Sequence, residues 1–156
     1  MTTEYSQEME AKLERIRRLI PADPADSKHS ATAGVNHMAV FAKDLEATAE
    51  FYSDVLGMPV VNVSANRDAA DSTHMNIHIG NGTNLSFFDF PDVPRLRRKA
   101  PEGVGGIMHI ALPMDKGRLP GVVAKLDSRR VKYQEIGGSL YFKDPNGLGI
   151  ELMPME

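Results

Sequence analysis

The 156-residue chain contains no cysteine. Disulfides, thiolate metal sites and cysteine nucleophiles are therefore excluded, and any metal must bind through nitrogen and oxygen. No apolar run approaches the roughly 18 residues that span a bilayer. Nor does a basic n-region lead into an apolar h-region at the start. These absences predict a cytoplasmic protein with no membrane partner. An excess of positive charge is also missing: 18 basic residues face 21 acidic ones, for a net charge of −3. Nucleic-acid binding normally demands a strongly basic face, so no nucleic-acid partner is expected. The one basic cluster, RLRRK (Arg95, Arg97, Arg98, Lys99), follows Pro91 and Pro94. It reads either as a solvated loop or as a contact for an anionic substrate tail. What is present is ordinary for a soluble globular chain, with 42% hydrophobic and 25% charged residues. The length suits one domain, or two small modules sharing a core.

The first segment, TEYSQEMEAKLERIRRLI, places Tyr5, Met9, Leu13, Ile16 and Ile20 on one stripe of an amphipathic helix. PADPADSKHS then breaks the pattern with two prolines and reads as a linker. The expected division is a helix and linker over residues 1–30 and a main domain over 31–156. From residue 34 the order is strand (GVNHMAVF), helix (KDLEATAEFYSDVLGM) and three strands (PVVNVSA, STHMNIHIG, LSFFDF). Asp44 suits the helix N-cap and Gly57 its stop, while Asn81-Gly82 marks a hairpin between the last two strands. The order then recurs as GGIMHIAL, LPGVVAKLDSRR, VKYQEIG, SLYFKDP and LGIELMP. Two βαβββ modules, about 34–91 and 104–154, therefore stand in tandem.

The repeat can be checked by arithmetic. His37 and His109 are 72 positions apart, as are Ala39 and Ala111. Asn81-Gly82 and Asn146-Gly147 are 65 apart, and the same offset carries Glu151 onto Ser86. The first strand of each module thus bears a histidine at one slot, and the last bears serine in one copy and glutamate in the other. An imidazole among Val35 and Ala39, or among Ile107 and Ala111, needs a partner, because burying an unpaired polar group costs a few kcal/mol. A carboxylate in LGIELM needs a cation for the same reason. One divalent metal satisfies His37, His109 and Glu151 together. Two imidazoles and a carboxylate with open positions form the facial set of non-haem iron(II) oxygenases, which also suits manganese, zinc or nickel. Subtracting 65 from Tyr141 gives Asn76, so His74, Asn76 and His78 are predicted to face the cleft while Met75, Ile77 and Ile79 face the helix. His78 or His74 is then a candidate acid/base, with the alternative that both are rim histidines. Phe87, Phe88 and Met75 are either core or substrate contacts, and Lys143, on the side of Tyr141, reads as solvated. His29, in the linker, carries no role.

HMAV…DLEATAEFYSDVLGM, then MHIAL, then YFKDPNGLGIEL, resemble the vicinal oxygen chelate superfamily over residues 34–154. That group includes glyoxalase I, extradiol ring-cleaving dioxygenases, fosfomycin-resistance enzymes, methylmalonyl-CoA epimerase and bleomycin-resistance proteins. The resemblance implies an α+β fold of tandem βαβββ modules forming a curved mixed sheet around a metal-containing cleft. It implies His37, His109 and Glu151 as metal ligands. Glyoxalase I-like members carry a fourth ligand, a glutamate, where this chain has Ser86, so the three-ligand members are favoured. The stretch L-Y-x-x-D-P-x-G-x-x-x-E from Leu140 to Glu151 is similar to the end of the extradiol dioxygenase signature. That similarity implies that Tyr141 hydrogen-bonds the substrate. The upstream histidine of that signature is replaced here by Lys132, Tyr133 and Gln134. The expectation is a metal-dependent dioxygenase for a small-molecule substrate bound through adjacent oxygens, with Tyr141 and His78 as catalytic residues. Its cofactor is expected to be Fe(II), with Mn, Zn, Ni or Co as alternatives, and its state a homodimer. The alternative readings are a glyoxalase, epimerase or fosfomycin-type lyase, isomerase or transferase, and a metal-free ligand-sequestering protein.

Overall fold

The computed structural model describes residues 7–21, 32–67, 69, 71–93 and 104–156. Most of the linker, His29, Tyr5 and the Arg95–Lys99 cluster lie outside the described residues. The chain divides into two compact units, Met1–Gly34 and Val35–Glu156. The first contains helix α1 (Gln7–Arg17), with acidic residues in its first turn and basic ones in its last, as the helix dipole favours. None of its residues is buried. Among the described residues no helix is long and apolar enough to cross a membrane.

The second unit holds the two modules. Module 1 comprises β1 (His37–Phe41), α2 (Leu45–Glu50), β2 (Val60–Ala65), β3 (Thr73–Gly80) and β4 (Thr83–Asp89). Module 2 comprises β5 (Ile110–Asp115), α3 (Leu119–Ser128), β6 (Tyr133–Ile136), β7 (Ser139–Lys143) and β8 (Gly149–Met155). The strands form two four-stranded mixed sheets of the same topology, β1-β4-β3-β2 and β5-β8-β7-β6. In each, the first strand pairs parallel with the last and the other pairings are antiparallel. The α+β fold of two βαβββ modules is as the repeat predicted.

Local chemistry explains the elements. The Asp44 carboxylate caps α2 by accepting from the Ala47 amide at 2.9 Å. Asn81 and Gly82, with φ of 48° and 74°, make the tight β3–β4 hairpin, the left-handed pair a two-residue loop requires. The predicted single helix over 43–58 differs in its second half, where Phe51–Val55 widens into a π-helical turn. The widened turn leaves Phe51, Tyr52 and Val55 all buried. β1 and β5 are edge strands among the described residues, and an edge strand is where a proline such as Pro113 is tolerated.

Alternation along the strands puts Met75, Ile77, Leu85 and Phe87 of module 1 into the core, with Leu112, Leu140, Phe142, Ile150 and Leu152 of module 2. The turn after α2 serves both sheets. Tyr52 packs its ring on Phe87, with centroids 5.2 Å apart, while Phe51 reaches Phe142 at 6.1 Å. Truncating such a buried aromatic typically costs about 3–5 kcal/mol. Polar contacts lock the same junction. The D-P-N-G turn before β8 places the Asp144 carboxylate where it accepts from the Tyr52 hydroxyl (3.1 Å) and from the amides of Asn146 (2.9 Å) and Leu148 (2.8 Å). The Asn146 side chain donates to Thr48 Oγ1 and accepts from the Lys43 amide. Burial pushes both the Asp144 carboxyl and the Tyr52 phenol upward from their ordinary values. On the surface, Asp54 accepts from Lys125 (3.0 Å) and Arg129 (2.9 Å), and their hydrogen bonds hold its carboxyl below the ordinary range.

Candidate metal centre

The strand register places the repeat-related residues as the arithmetic required. Ala39 pairs with Ser86 between β1 and β4, and Ala111 with Glu151 between β5 and β8. Ser86 faces Asn76, and Glu151 faces Tyr141. Each sheet therefore carries one copy of the same cross-strand arrangement on the face turned away from the core.

In module 2 the copy is charged. His109 directly precedes β5, and its Nε2 lies 2.9 Å from Glu151 Oε2. Gly149 makes this approach possible: a Cβ there would collide with the Met108 carbonyl and stand 3.1 Å from His109 Cα. The Tyr141 ring meets the imidazole edge-on, with centroids 5.5 Å apart. Glu151 is only 9% exposed, yet its carboxyl is held below its ordinary value, chiefly by the Tyr141 hydroxyl, with help from Ser139 and His109. The same bond, with partial desolvation, raises the Tyr141 phenol, which keeps it a donor. A cavity of about 890 Å³ opens here, lined by Met108, His109, Gln134, Tyr141, Lys143 and Gly149 among others.

In module 1 the copy is neutral. Ser86 Oγ donates to Asn76 Oδ1 at 2.6 Å. His37 is exposed, with Nδ1 2.9 Å from the neighbouring Asn36 side chain. His78 faces Asn84, which in turn faces His37, so both histidines lie in one cross-strand row. His74 stacks on Phe88 at 5.2 Å, and its buried Nδ1 has no hydrogen-bond partner. Phe87 and Met75 belong to the core, whereas Phe88 stands on the open face.

Of the predicted ligands, one chain brings His109 and Glu151 together. His37 stands on the other sheet, and among the described residues no three histidine, aspartate or glutamate side chains converge. Tyr141 joins the His109–Glu151 pair; His78 does not. Reading the sequence alone missed Ser139 and Gly149. The one available signal was that both lie within two strands of Glu151.

Residues 34–152 match the family profile described as the Glyoxalase/Bleomycin resistance protein/Dioxygenase superfamily. The chain belongs to that superfamily. Its similarity to the uncharacterized protein YaeR of Escherichia coli is 32% identity over 125 residues, covering 76% of this chain and 93% of that protein. The putative ring-cleaving dioxygenase MhqO of Bacillus subtilis is 27% identical over 80% of this chain and 41% of its own length. The fold is shared with the fosfomycin resistance protein FosX of Listeria monocytogenes, solved in complex with Mn(II) and sulfate ion. That match has a TM-score of 0.61 at 18% identity and covers 80% of this chain and 94% of the other. Divalent metal dependence is common in the superfamily, and the chain supplies two donors of the kind such a site uses. An imidazole nitrogen and a carboxylate oxygen face each other on an open surface, while Tyr141 and Ser139 hold the carboxylate from within the sheet.

Proposed function

We propose that the protein is a mononuclear metal-dependent enzyme that binds a small aromatic diol through its adjacent oxygens and cleaves the ring in the extradiol manner, with dioxygen as the second substrate whose two oxygen atoms enter the product. The observation that carries this reading is the His109–Glu151 pair, 2.9 Å apart and backed by Tyr141 beside an open cavity. It is two-thirds of a facial ligand set. The third ligand, His37, is exposed at the equivalent slot of the other sheet. The site is therefore completed in a homodimer, with His37 of one protomer meeting His109 and Glu151 of its partner.

A divalent metal there, iron(II) foremost, supplies Lewis acidity and open positions for two substrate oxygens. The chain's own residues do the rest. Tyr141, whose hydroxyl proton goes to Glu151, accepts a hydrogen bond from a substrate hydroxyl with its free lone pair and orients it. His78 shares its row with His37, enters the cleft from the same protomer, and takes the proton of a substrate hydroxyl. Met108 supplies an apolar wall of the cavity. The similarity to MhqO supports ring cleavage. The rival chemistry is that of a fosfomycin-type lyase, isomerase or transferase.

The deciding experiment is metal analysis of anaerobically purified protein followed by oxygen uptake with a catechol panel. Iron with catechol-dependent uptake is the expected result. A metal without uptake moves the reading to isomerase or transferase chemistry. Absence of metal, with His37→Ala leaving ligand binding intact, overturns the enzyme.

A further inference from the structure

The open face of module 2 carries two cations that the chemistry above leaves unused. β6 and β7 pair with Tyr133 opposite Phe142 and Gln134 opposite Tyr141. Continued by one residue, that register sets Lys132 opposite Lys143, on the face that carries Tyr141. Both lysines line the cavity that holds His109 and Tyr141. Lys116 and Lys125 are ion-paired with Glu156 and Asp54. By contrast, Lys132 and Lys143 have no hydrogen-bond or ion-pair partner among the described residues. The nearby carboxylate of Asp127 is engaged by the Tyr133 hydroxyl. Both lysines are exposed, and like charges facing each other across a strand pair repel, so an anion bound between the two ammonium groups would be favoured over either lysine alone.

Their relation to the chelating pair gives the anion a place. Lys143 faces Gly149, and Gly149 packs against His109. The strip between lysine and histidine is thus floored by backbone with no side chain in the way. Two strand spacings separate the backbones, roughly 10 Å, and the long lysine side chain closes much of that gap. In module 1 the slots of Lys143 and Gly149 hold His78 and Asn84, and Pro59 stands beside His78 on the neighbouring strand, so the lysine pair is confined to the copy that carries the glutamate.

We propose that Lys143, with Lys132, binds an oxyanion substituent of the substrate, a carboxylate or phosphonate carried about one ring away from the adjacent oxygens. This rests on the adjacent-oxygen reading of the same site and adds to it a substrate class: an anionic diol. Lysine offers a point charge with three donors, suited to such a group.

The test compares binding of catechol and 3,4-dihydroxybenzoate to the metal-loaded full-length protein by calorimetry. The wild-type protein is expected to prefer the carboxylate about tenfold or more, as for one charge-assisted contact. In Lys143→Met the two ligands become equal within about threefold, whereas Lys143→Arg keeps most of the preference. Raising the salt concentration weakens the preference in the wild type and in Lys143→Arg, and has nothing to weaken in Lys143→Met. Equal affinities in the wild type, or a preference that survives Lys143→Met, overturn the proposal. A second arm uses benzoate and phenylphosphonate with chelator-treated protein, which needs no metal. Binding weakened by Lys143→Met supports the clamp and shows which oxyanion it takes; absent or unchanged binding overturns it. If neither catechol binds the loaded protein, the diol reading falls, and the metal-free arm still decides the clamp.

Discussion

Replacing Asp144 by alanine separates the turn before β8 from the helix of module 1, and the cost can be worked from the contacts. The Tyr52 hydroxyl, at 0% exposure, loses its acceptor and no water reaches it. One stranded donor of this kind costs about 1–3 kcal/mol. The amides of Asn146 and Leu148 lose acceptors at 2.9 and 2.8 Å in a half-buried turn, adding about 0.5–1.5 kcal/mol each. The expected loss is about 3–5 kcal/mol, read as a drop in urea midpoint with an unchanged slope at fixed protein concentration. Tyr52→Phe costs about 1 kcal/mol, because Asp144 keeps its other donors. In the double variant no hydroxyl is stranded, so its loss is smaller than the sum of the singles by about 1–2 kcal/mol. Losses that add within about 0.5 kcal/mol would refute a hydrogen bond that holds the two modules together.

Three further outcomes follow from the geometry. Gly149→Ala drives a Cβ into the Met108 carbonyl, so β5 must shift; thermal melting is expected to show about 1–3 kcal/mol lost, with metal binding weakened as His109 moves off Glu151. Asp54, whose carboxyl Lys125 and Arg129 hold below its ordinary 3.8, contributes stability that is present above that value. The contribution is lost as pH falls through the lowered one, so Asp54→Asn should flatten acid unfolding at low salt and change little at high salt. His37→Ala and Glu151→Ala each abolish metal binding alone; differently tagged protomers purified as a heterodimer should regain about half the wild-type metal, one complete site per pair. A heterodimer as empty as its parents would place all three ligands in one chain.

The repeat was legible because it is a matter of counting. His37 and His109, and then Ser86 and Glu151, fall at equivalent slots on strands whose alternation is plain, and the register bears the offset out. The I′ hairpin at Asn81-Gly82 was legible for the same local reason. What stayed hidden is non-local. Nothing in DPNG shows that Asp144 will meet a tyrosine 92 positions earlier. The π-helical turn arises because Phe51 and Tyr52 must serve two sheets, a tertiary demand that helix propensity does not carry. Residue types at the site and their division between the two modules were readable; whether the two open faces meet was not, since sequence spacing does not show which way each face points.

Pro113 also bears on what the molecule avoids. β5 is an edge strand, and its free side is a template on which a stray strand could add. A proline midway along removes one of the N–H groups such a visitor would pair with. The strand next to the histidine can thus stay open for assembly through side chains while resisting open-ended aggregation through its backbone. An interchange of Pro113 for valine, harmless to packing, would remove that protection.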